Sequence, residues 1–313
     1  MRYLFYFLCM AVMGIASNTE PLFIEIGTGY RQDNLCWEIL SNDKLETFLG
    51  QEKYNGLNYL QTQCTMRTIM RDVYVLAQGT WATFGRGKAL QNMPYDQRDI
   101  ILKYKTEGND YSLMGVLGYQ VNLTDGRHYK AFLTPLFGYA GYWKKLTKKL
   151  GQKPSIQQDD YIFEEQTQGN KLDDCWYGPI VGGDLLIEPG GNISCNFYYM
   201  FNWLKLNHTD YMKYRVINSV LDIDELIEEK VVAKGVHDRG QYGGFKLFCT
   251  ATSHLNVNME MQFRYFSSYK YQVKTFVYDT TLHDFVTTTT ERRDKMIHWW
   301  WTFAALLEIA YVF

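Results

Sequence analysis

The alternation of side-chain character over Ile297–Phe313 restricts the possible folds more than any other feature of the sequence. Successive side chains of a β-strand point to opposite faces, so an apolar residue at every second position predicts a strand with one apolar face. Aromatic residues lie at both ends of that face and aliphatic residues lie between them, as in a strand that crosses a bilayer between two aromatic girdles. The apolar face consists of Trp299, Trp301, Phe303, Ala305, Leu307, Ile309, Tyr311 and Phe313.

The composition argues against a helical membrane protein and favours a barrel. Aromatic residues make up 16% of the 313 residues, yet hydrophobic residues make up only 46% and the mean hydropathy is −0.30. Beyond the N-terminal segment, no apolar stretch reaches the roughly 20 residues that a membrane helix needs. A chain that spans a membrane without such helices must form a closed barrel, because only closure satisfies its backbone hydrogen bonds in lipid. The net charge of −2 supplies no basic stripe, so no nucleic-acid partner is expected.

Residues 1–17 have the features of a secretory signal peptide. Arg2 provides a short positive region, Tyr3–Ile15 is apolar, and Ala16 and Ser17 are small residues suited to cleavage. The alternative interpretation is a short N-terminal anchor helix. We therefore expect residues 18–313 to form the mature barrel domain.

The cysteines cannot all pair within one mature chain. Five of the six would remain after cleavage, so at least one is free or bonded to another molecule. The compartment permits disulfides, and both buried free thiols and cross-links to a protein network are compatible with the sequence. The five are Cys36, Cys64, Cys175, Cys195 and Cys249.

The same alternation recurs along the chain and predicts ten strands. Tight turns at Arg71-Asp72 and Pro189–Asn192 separate some of them, whereas long polar segments separate others. An even number of strands with alternating short and long connections is typical of a bacterial outer-membrane barrel. The fold class is therefore all-β, a ten-stranded antiparallel transmembrane β-barrel with five long outer loops. The long segments are residues 41–56, 85–98, 146–170, 208–234 and 275–295.

A barrel of ten strands has a narrow lumen, so side chains should fill it and a wide pore is not expected. Inward-facing charged residues should pair there. The acidic run Asp222–Glu229 allows a short helix in the fourth long loop, and it lacks the glycine turn and ligand order of a calcium loop. The sequence indicates no cofactor and no metal site. The residues expected to pair in the lumen are Glu25, Arg31, Asp184, Lys246, Glu260 and Arg264.

The chain resembles the omptin family, which are proteases of the bacterial outer membrane. The resemblance covers nearly the whole mature chain as a pattern, and it is carried by IEIGTGYR, GTWATFGRG, NMPYDQRD and the closing strand. The segment GYRQDNLCWEI is also similar to a group of outer-membrane proteins of chlamydia-related bacteria. Both resemblances imply a location in the bacterial outer membrane.

The omptin resemblance implies four catalytic positions on the outer rim. The family has two Asp residues separated by one residue in the second loop, and Asp96 and Asp99 stand three apart here. The family also has Asp-x-His in the fourth loop, where His would act as the base and Asp would orient it. His208 matches that His, Leu206 occupies the place of the orienting Asp, and Asp210 follows instead.

Two function classes remain open, together with a third and weaker one. The first is a structural or surface-interaction barrel whose loops meet lipid headgroups, including lipopolysaccharide, or envelope and host proteins. The second is an omptin-type endopeptidase, and the third is a narrow channel. Leu206 at the orienting position favours the first class. Phe313 is expected to be recognised by the barrel assembly machinery, so that loss of this residue would impair assembly in the outer membrane but not secretion.

Overall fold

The protein is seen in a computed structural model that describes residues 21–40, 48–95, 98–126, 129–150, 161–165, 170–218, 223–235, 238–269, 271–279, 284–287 and 295–313. The described chain is almost entirely extended. Among these residues, no helix is long and apolar enough to cross a membrane. The strands are β1 (Leu22–Leu40), β2 (Phe48–Met70), β3 (Val73–Tyr95), β4 (Arg98–Tyr119), β5 (Val121–Asp125), β6 (Lys130–Leu150), β7 (Tyr161–Glu165), β8 (Lys171–Glu188), β9 (Ile193–Asn218), β10 (Ile223–Gly235), β11 (Asp238–Thr252), β12 (Leu255–Tyr269), β13 (Tyr271–Asp279), β14 (Asp284–Thr287) and β15 (Lys295–Val312).

Ten antiparallel strands, each of which we call a wall, close into a barrel. Their order is β1, β2, β3, β4, β6, β8, β9, β11, β12 and β15, and β15 returns to pair with β1. The closing register runs from Phe23 opposite Val312 to Leu40 opposite Lys295. The remaining strands extend these walls; for example, β10 pairs with both β9 and β13 beyond the end of β11. The predicted all-β, ten-stranded barrel and the pairing of its first and last strands are confirmed.

An exposed apolar belt surrounds one half of the barrel. It lies next to the tight turns, which include Arg71-Asp72 with φ of 46° and 71° and Gly190-Gly191 with φ of 88° and 83°. Trp81 and Trp203 mark its upper edge, and we call the barrel half beyond it the rim half. Alternation places apolar side chains outside and polar side chains inside, as a lipid-facing barrel requires. Exposed members of the belt include Ile26, Tyr30, Leu117, Phe137, Tyr139, Phe197, Tyr199, Met259, Phe263, Leu307, Ile309 and Phe313.

Side chains fill the lumen, and the buried charges form layers. In the lower layer, inside the belt, Lys246 forms ion pairs with Glu25 and Glu308 and lies 3.7 Å from Glu260. A cavity lined by residues of this layer has a volume of about 40 Å³, which is room for only a few water molecules. Described side chains therefore occupy the lumen at this level.

A middle layer lies just above the lower one. Arg31 bonds Asp33 at 2.7 Å and Asp110 at 2.6 Å, and Lys144 pairs with Asp33. Two cations thus face two carboxylates in a fully buried setting. The predicted lumenal pairing of Glu25, Arg31, Lys246 and Glu260 is confirmed, while Asp184 bonds Asn196 at 2.8 Å and Arg264 donates to Ser112 at 3.2 Å.

The predicted boundaries of the five long loops are wrong, because strands extend into each of the five segments. β3 continues to Tyr95 through the segment expected to be the second loop, and β9 continues to Asn218 through the start of the fourth. The acidic run expected to allow a helix is strand β10, which pairs with β9 and β13. Above the belt, exposed lysines and other polar side chains alternate with buried polar ones, so both faces of a strand can be polar. Polarity there no longer separates a strand from a loop.

Candidate functional site

The largest group of buried ionisable side chains in the described rim half forms an upper layer in the lumen. Alternation along β9 buries Leu206, His208 and Asp210 while Lys205 and Asn207 are exposed. The sheet register then decides which neighbours these residues meet. The upper layer consists of Glu52 on β2, Lys148 on β6, Asp174 on β8, His208 and Asp210 on β9, and His298 on β15.

Asp174 bridges two histidines in this layer. It lies directly opposite His208 in the pairing of β8 with β9. One carboxylate oxygen of Asp174 is 2.6 Å from His208 Nδ1, and the other is 3.1 Å from Nε2 of His298, which reaches the group from β15. The exposed fraction of all three side chains is 0%. The barrel therefore brings together three groups that are far apart in the sequence.

Aromatic rings enclose the bridged group. The ring of Trp37 meets the ring of His208 edge to face with centroids 5.8 Å apart, and Trp176 meets His298 at 5.1 Å. The two imidazole rings are themselves 5.6 Å apart at their centroids. These contacts exclude water from the described surroundings and lower the local dielectric constant, which strengthens every charge interaction in the site.

Burial and charge oppose one another at the three groups. Burial alone would raise the pKa of Asp174, but the two histidines outweigh it and the pKa lies below its usual range. Burial lowers the pKa of His208, but Asp174 outweighs it and the pKa is raised. At His298 burial prevails over Asp174 and the pKa is lowered. The arrangement favours an ionised carboxylate between one readily protonated and one neutral imidazole.

The carboxylate of Asp210 contacts a lysine. Lys148 Nζ lies 2.8 Å from Asp210 Oδ1 and 2.8 Å from Glu52 Oε2, and Trp37 Nε1 donates to Glu52 at 3.1 Å. Burial raises the pKa of Glu52 to about 7, and Lys148 opposes that rise. His208 thus forms its hydrogen bond with the carboxylate of Asp174. The carboxylate of Asp210 forms an ion pair with Lys148 instead.

The two aspartates of the second predicted loop are not part of the described cluster. Asp96 lies outside the described residues. Asp99 belongs to β4, opposite Pro94. On the same strand, Thr106 pairs with Lys148 of the upper layer, and Asp99 stands seven residues closer to the rim. At the usual rise per residue, its backbone is about 23 Å further along the strand.

Sequence reasoning missed Asp174 and His298. Asp174 occupies a lumenal position within a predicted strand, and His298 precedes the tryptophans of the closing strand. Neither forms a short motif with His208, because their closeness depends on the register of β8 against β9 and on barrel curvature. Alternation alone could have identified both as inward-facing polar residues, which is a weak signal for chemistry.

The upper layer has two chemical capabilities. A carboxylate bonded to an imidazole can orient that ring for proton transfer. One carboxylate and two imidazoles also form a ligand set for a divalent transition metal, and the three potential donor atoms lie within 4.8 Å of one another.

Known structures support the fold, and curated protein sequences give no match. The outer membrane protease OmpT from Escherichia coli superposes with a TM-score of 0.66 and 10% identity, covering 96% of this chain and 100% of that one. The translocator domain of the autotransporter NalP from Neisseria meningitidis gives a TM-score of 0.33 at 10% identity, covering 98% of this chain and 94% of that one. The toluene transporter TodX from P. putida gives 0.32 at 10% identity, covering 95% and 91%.

At such identities these likenesses concern architecture alone, and the first shows an omptin-like barrel. A family model described as Protochlamydia outer membrane protein matches residues 25–313. The chain thus belongs to the Protochlamydia outer membrane protein family and is a β-barrel of the bacterial outer membrane.

Proposed function

We propose that this protein is a structural and surface-interaction barrel whose rim half binds anionic lipid headgroups of the outer leaflet, lipopolysaccharide above all. In this proposal the apolar belt crosses the outer membrane and the rim half projects from the cell. The tight turns then face the periplasm, as is usual for outer-membrane barrels.

The observation that carries the proposal is a basic collar on the outer surface just above the belt. The exposed charged side chains there are lysines and arginines in the described residues, apart from Glu107 and Asp173. The whole chain has a net charge of −2, so the collar reflects a separation of charge, with many carboxylates buried in the lumen. The collar consists of Lys53, Arg86, Lys88, Lys103, Lys105, Lys145, Lys149, Lys171, Lys205, Lys234 and Arg239.

The height of the collar suits contact with headgroups. Lys145 lies two residues above Trp143 on β6, and Arg86 lies five residues above Trp81 on β3. At the rise of a strand these separations are about 7 and 17 Å along the wall, which a tilted wall shortens further. Polar headgroups occupy a zone of comparable depth beside the hydrocarbon core. Lysine and arginine so placed attract anionic lipid at about 1 kcal/mol each.

An irregularity in the wall adds a recess to the collar. The pairing of β3 with β4 shifts between Ala82 and Gly85, and a groove of about 320 Å³ lies there. Arg86 and Lys149 contribute its positive charges, and Lys149 Nζ lies 3.0 Å from Glu107. A phosphate group could compete with that exposed carboxylate for the lysine. The groove therefore offers a local site within a broader electrostatic surface.

The test compares two variants of equal charge. One variant carries Arg86→Gln, Lys105→Gln, Lys145→Gln and Lys149→Gln around the groove. The matched control carries Lys53→Gln, Lys171→Gln, Lys205→Gln and Lys234→Gln elsewhere on the collar. Both are refolded in detergent, incubated with purified lipopolysaccharide and separated from free lipid, and folding is confirmed by heat-dependent gel mobility.

We expect the groove variant to retain at least about tenfold less lipopolysaccharide than the wild type, with a smaller loss in the control, since four headgroup contacts are removed. Added salt should weaken wild-type binding. Equal retention by all three folded proteins would contradict the proposal. The rim would then be better considered as a contact surface for envelope or host proteins, the other partner class that a surface role allows.

An omptin-type endopeptidase is the second candidate, favoured by the 2.6 Å contact of Asp174 with His208. Asp174 would take the orienting role that Leu206 cannot fill. The full burial of His208 opposes this candidate, because a peptide must reach the base. Cleavage of a peptide pool by the wild type, abolished in His208→Ala and Asp174→Asn, would support the peptidase. A folded wild type that cleaves nothing would reject it.

A further inference from the structure

The upper layer contains a ligand set that a buried structural core would not require. We propose that Asp174, His208 and His298 bind one divalent transition-metal ion and so join strands β8, β9 and β15 above the membrane. The nitrogen and oxygen donors favour Zn²⁺. Two imidazole nitrogens and one carboxylate oxygen suit this ion, and three protein ligands would leave one position for water.

The spacing of the donors is close to what the metal requires. Bonds of 2.0–2.1 Å in a tetrahedron place neighbouring ligand atoms about 3.3 Å apart. The carboxylate oxygens of Asp174 lie 2.6 Å from His208 Nδ1 and 3.1 Å from His298 Nε2. The three donor groups lie within 4.8 Å of one another without an ion between them. The Asp174–His208 separation would lengthen by about 0.7 Å and the Asp174–His298 separation by about 0.2 Å to reach that spacing.

The unbound ring nitrogens form a second and independent observation. His208 Nε2 and His298 Nδ1 are buried and have no hydrogen-bond partner among the described groups. A histidine that serves only the packing of a core is usually held in one tautomer by its far nitrogen. In the metal-free layer each ring donates an N–H to the ionised carboxylate of Asp174. Because no described group holds the far nitrogen, that proton can move there and leave a lone pair for a metal ion. A metal site would use that freedom, although the missing outer partners should reduce its affinity.

The charge balance of the layer also favours a cation. The upper layer includes one lysine, Lys148, whose ammonium group contacts the carboxylates of Glu52 and Asp210. Asp174 adds a third carboxylate whose partners are the two imidazoles. In the form that would bind a metal, with neutral imidazoles and three ionised carboxylates, the layer carries two negative charges in excess, and uncompensated buried charge is costly. A divalent ion would bring the layer to neutrality.

The middle layer provides an internal comparison. Arg31 and Lys144 balance Asp33 and Asp110 there, with every charge in contact with an opposite one. The two layers are similarly buried, and strand β6 contributes one lysine to each. The middle layer is therefore balanced by its own side chains, whereas the upper layer has more carboxylates than lysines at the level where the two histidines meet Asp174.

The experiment uses the mature chain without an affinity tag, refolded in detergent and freed of metal by a chelator. It is equilibrated with Zn²⁺, passed through a desalting column and analysed for bound zinc by mass spectrometry. The variants are Asp174→Asn, His208→Gln and His298→Gln, and the matched control is His254→Gln in an exposed turn. Heat-dependent gel mobility reports folding of each protein.

We expect about one Zn²⁺ per folded wild-type and His254→Gln chain, and at least about 100-fold weaker binding in each site variant, since even outer-shell changes cost 10–100-fold. Zinc should also raise the temperature of the gel-mobility transition in the wild type and in His254→Gln, where the three ligands are intact. The three site variants should show no such rise. Absence of bound zinc from folded wild type, or equal binding by the site variants, would overturn the proposal.

Replacement of the ions provides a readout that does not depend on the folding of any variant. Wild-type barrel loaded with Co²⁺ should show the intense visible absorption of a four-coordinate site with nitrogen and oxygen ligands, and one equivalent of Zn²⁺ should abolish it. A spectrum identical to that of aqueous Co²⁺ would contradict an internal metal site. Asp174 would then only form hydrogen bonds with the two histidines.

Discussion

Removing Lys246 should destabilise the barrel more than removing any one of the carboxylates around it. Lys246 forms ion pairs with Glu25 and Glu308 and lies 3.7 Å from Glu260, and its side chain is 8% exposed. Arg67 lies 3.3 Å from Glu25 and is the second cation of this group. Two cations thus face three carboxylates inside the belt, where the adjoining cavity has room for only a few water molecules.

The magnitude follows from what each substitution leaves behind. Lys246→Met keeps the length of the side chain but leaves three buried carboxylates with a single arginine, so we expect a loss of about 3–5 kcal/mol in the free energy of unfolding. Glu308→Gln removes the carboxylate in excess and keeps an oxygen that Gln63, now 2.9 Å from Glu308, can donate to. This second change should cost less than about 1 kcal/mol or stabilise the barrel.

The assay is reversible unfolding in denaturant, followed by tryptophan fluorescence in detergent micelles. The double variant Lys246→Met with Glu308→Gln should recover part of the loss, because the two sites are coupled. Stability of Lys246→Met within about 1 kcal/mol of the wild type would refute the reasoning. A Glu308→Gln variant as unstable as Lys246→Met would also refute it, since charge excess would then not control this layer.

Two further predictions concern the closing seam and the pH dependence of stability. A Cβ at Gly29 would overlap the backbone oxygen of Ala305, whereas one at Gly183 would meet nothing closer than 3.9 Å. Gly29→Ala should therefore reduce the yield of folded barrel on gels and Gly183→Ala should not, and equal yields would contradict a tight seam. Burial raises the pKa of Glu52 from 4.5 to about 7, with Lys148 opposing the rise. Its contribution favours folding below about pH 4.5 and is lost as the pH rises through 7, so the wild type should lose at most about 3 kcal/mol between pH 5 and 8. Glu52→Gln should lack that component in denaturant titrations at the two pH values, and an unchanged pH dependence would exclude Glu52 as its source.

Alternation with period two was enough to predict the barrel, its closing strand and the lumenal position of Arg31 or Lys246. It succeeded because lipid outside and polar side chains inside impose opposite demands on neighbouring residues. It failed beyond the belt, where β3 runs on to Tyr95 and β9 to Asn218 although both faces of the wall are polar. The pattern loses its meaning where the solvent outside the wall changes from lipid to water.

The candidate site was harder to predict for a different reason. His208 was identified through a resemblance to the omptin motif, but Asp174 and His298 come from strands that only the barrel brings together. Their positions depend on the register of β8 against β9 and on the narrow lumen that lets β15 face them. A one-residue change of register would turn these side chains outward. Such a constellation is encoded by pairing across the sheet and by no local motif.

The seam between β1 and β15 has a consequence for the order of events during biosynthesis. The pairing runs from Phe23 opposite Val312 to Leu40 opposite Lys295. One edge of β1 therefore stays unpaired until β15 has been translated. An unpaired edge of that length is a template for aggregation, and contacts so distant in sequence form slowly. The nascent chain should therefore need a chaperone that covers this edge until the barrel closes. A chain truncated before β15 should aggregate or be degraded, because the nine walls left cannot close in the same register.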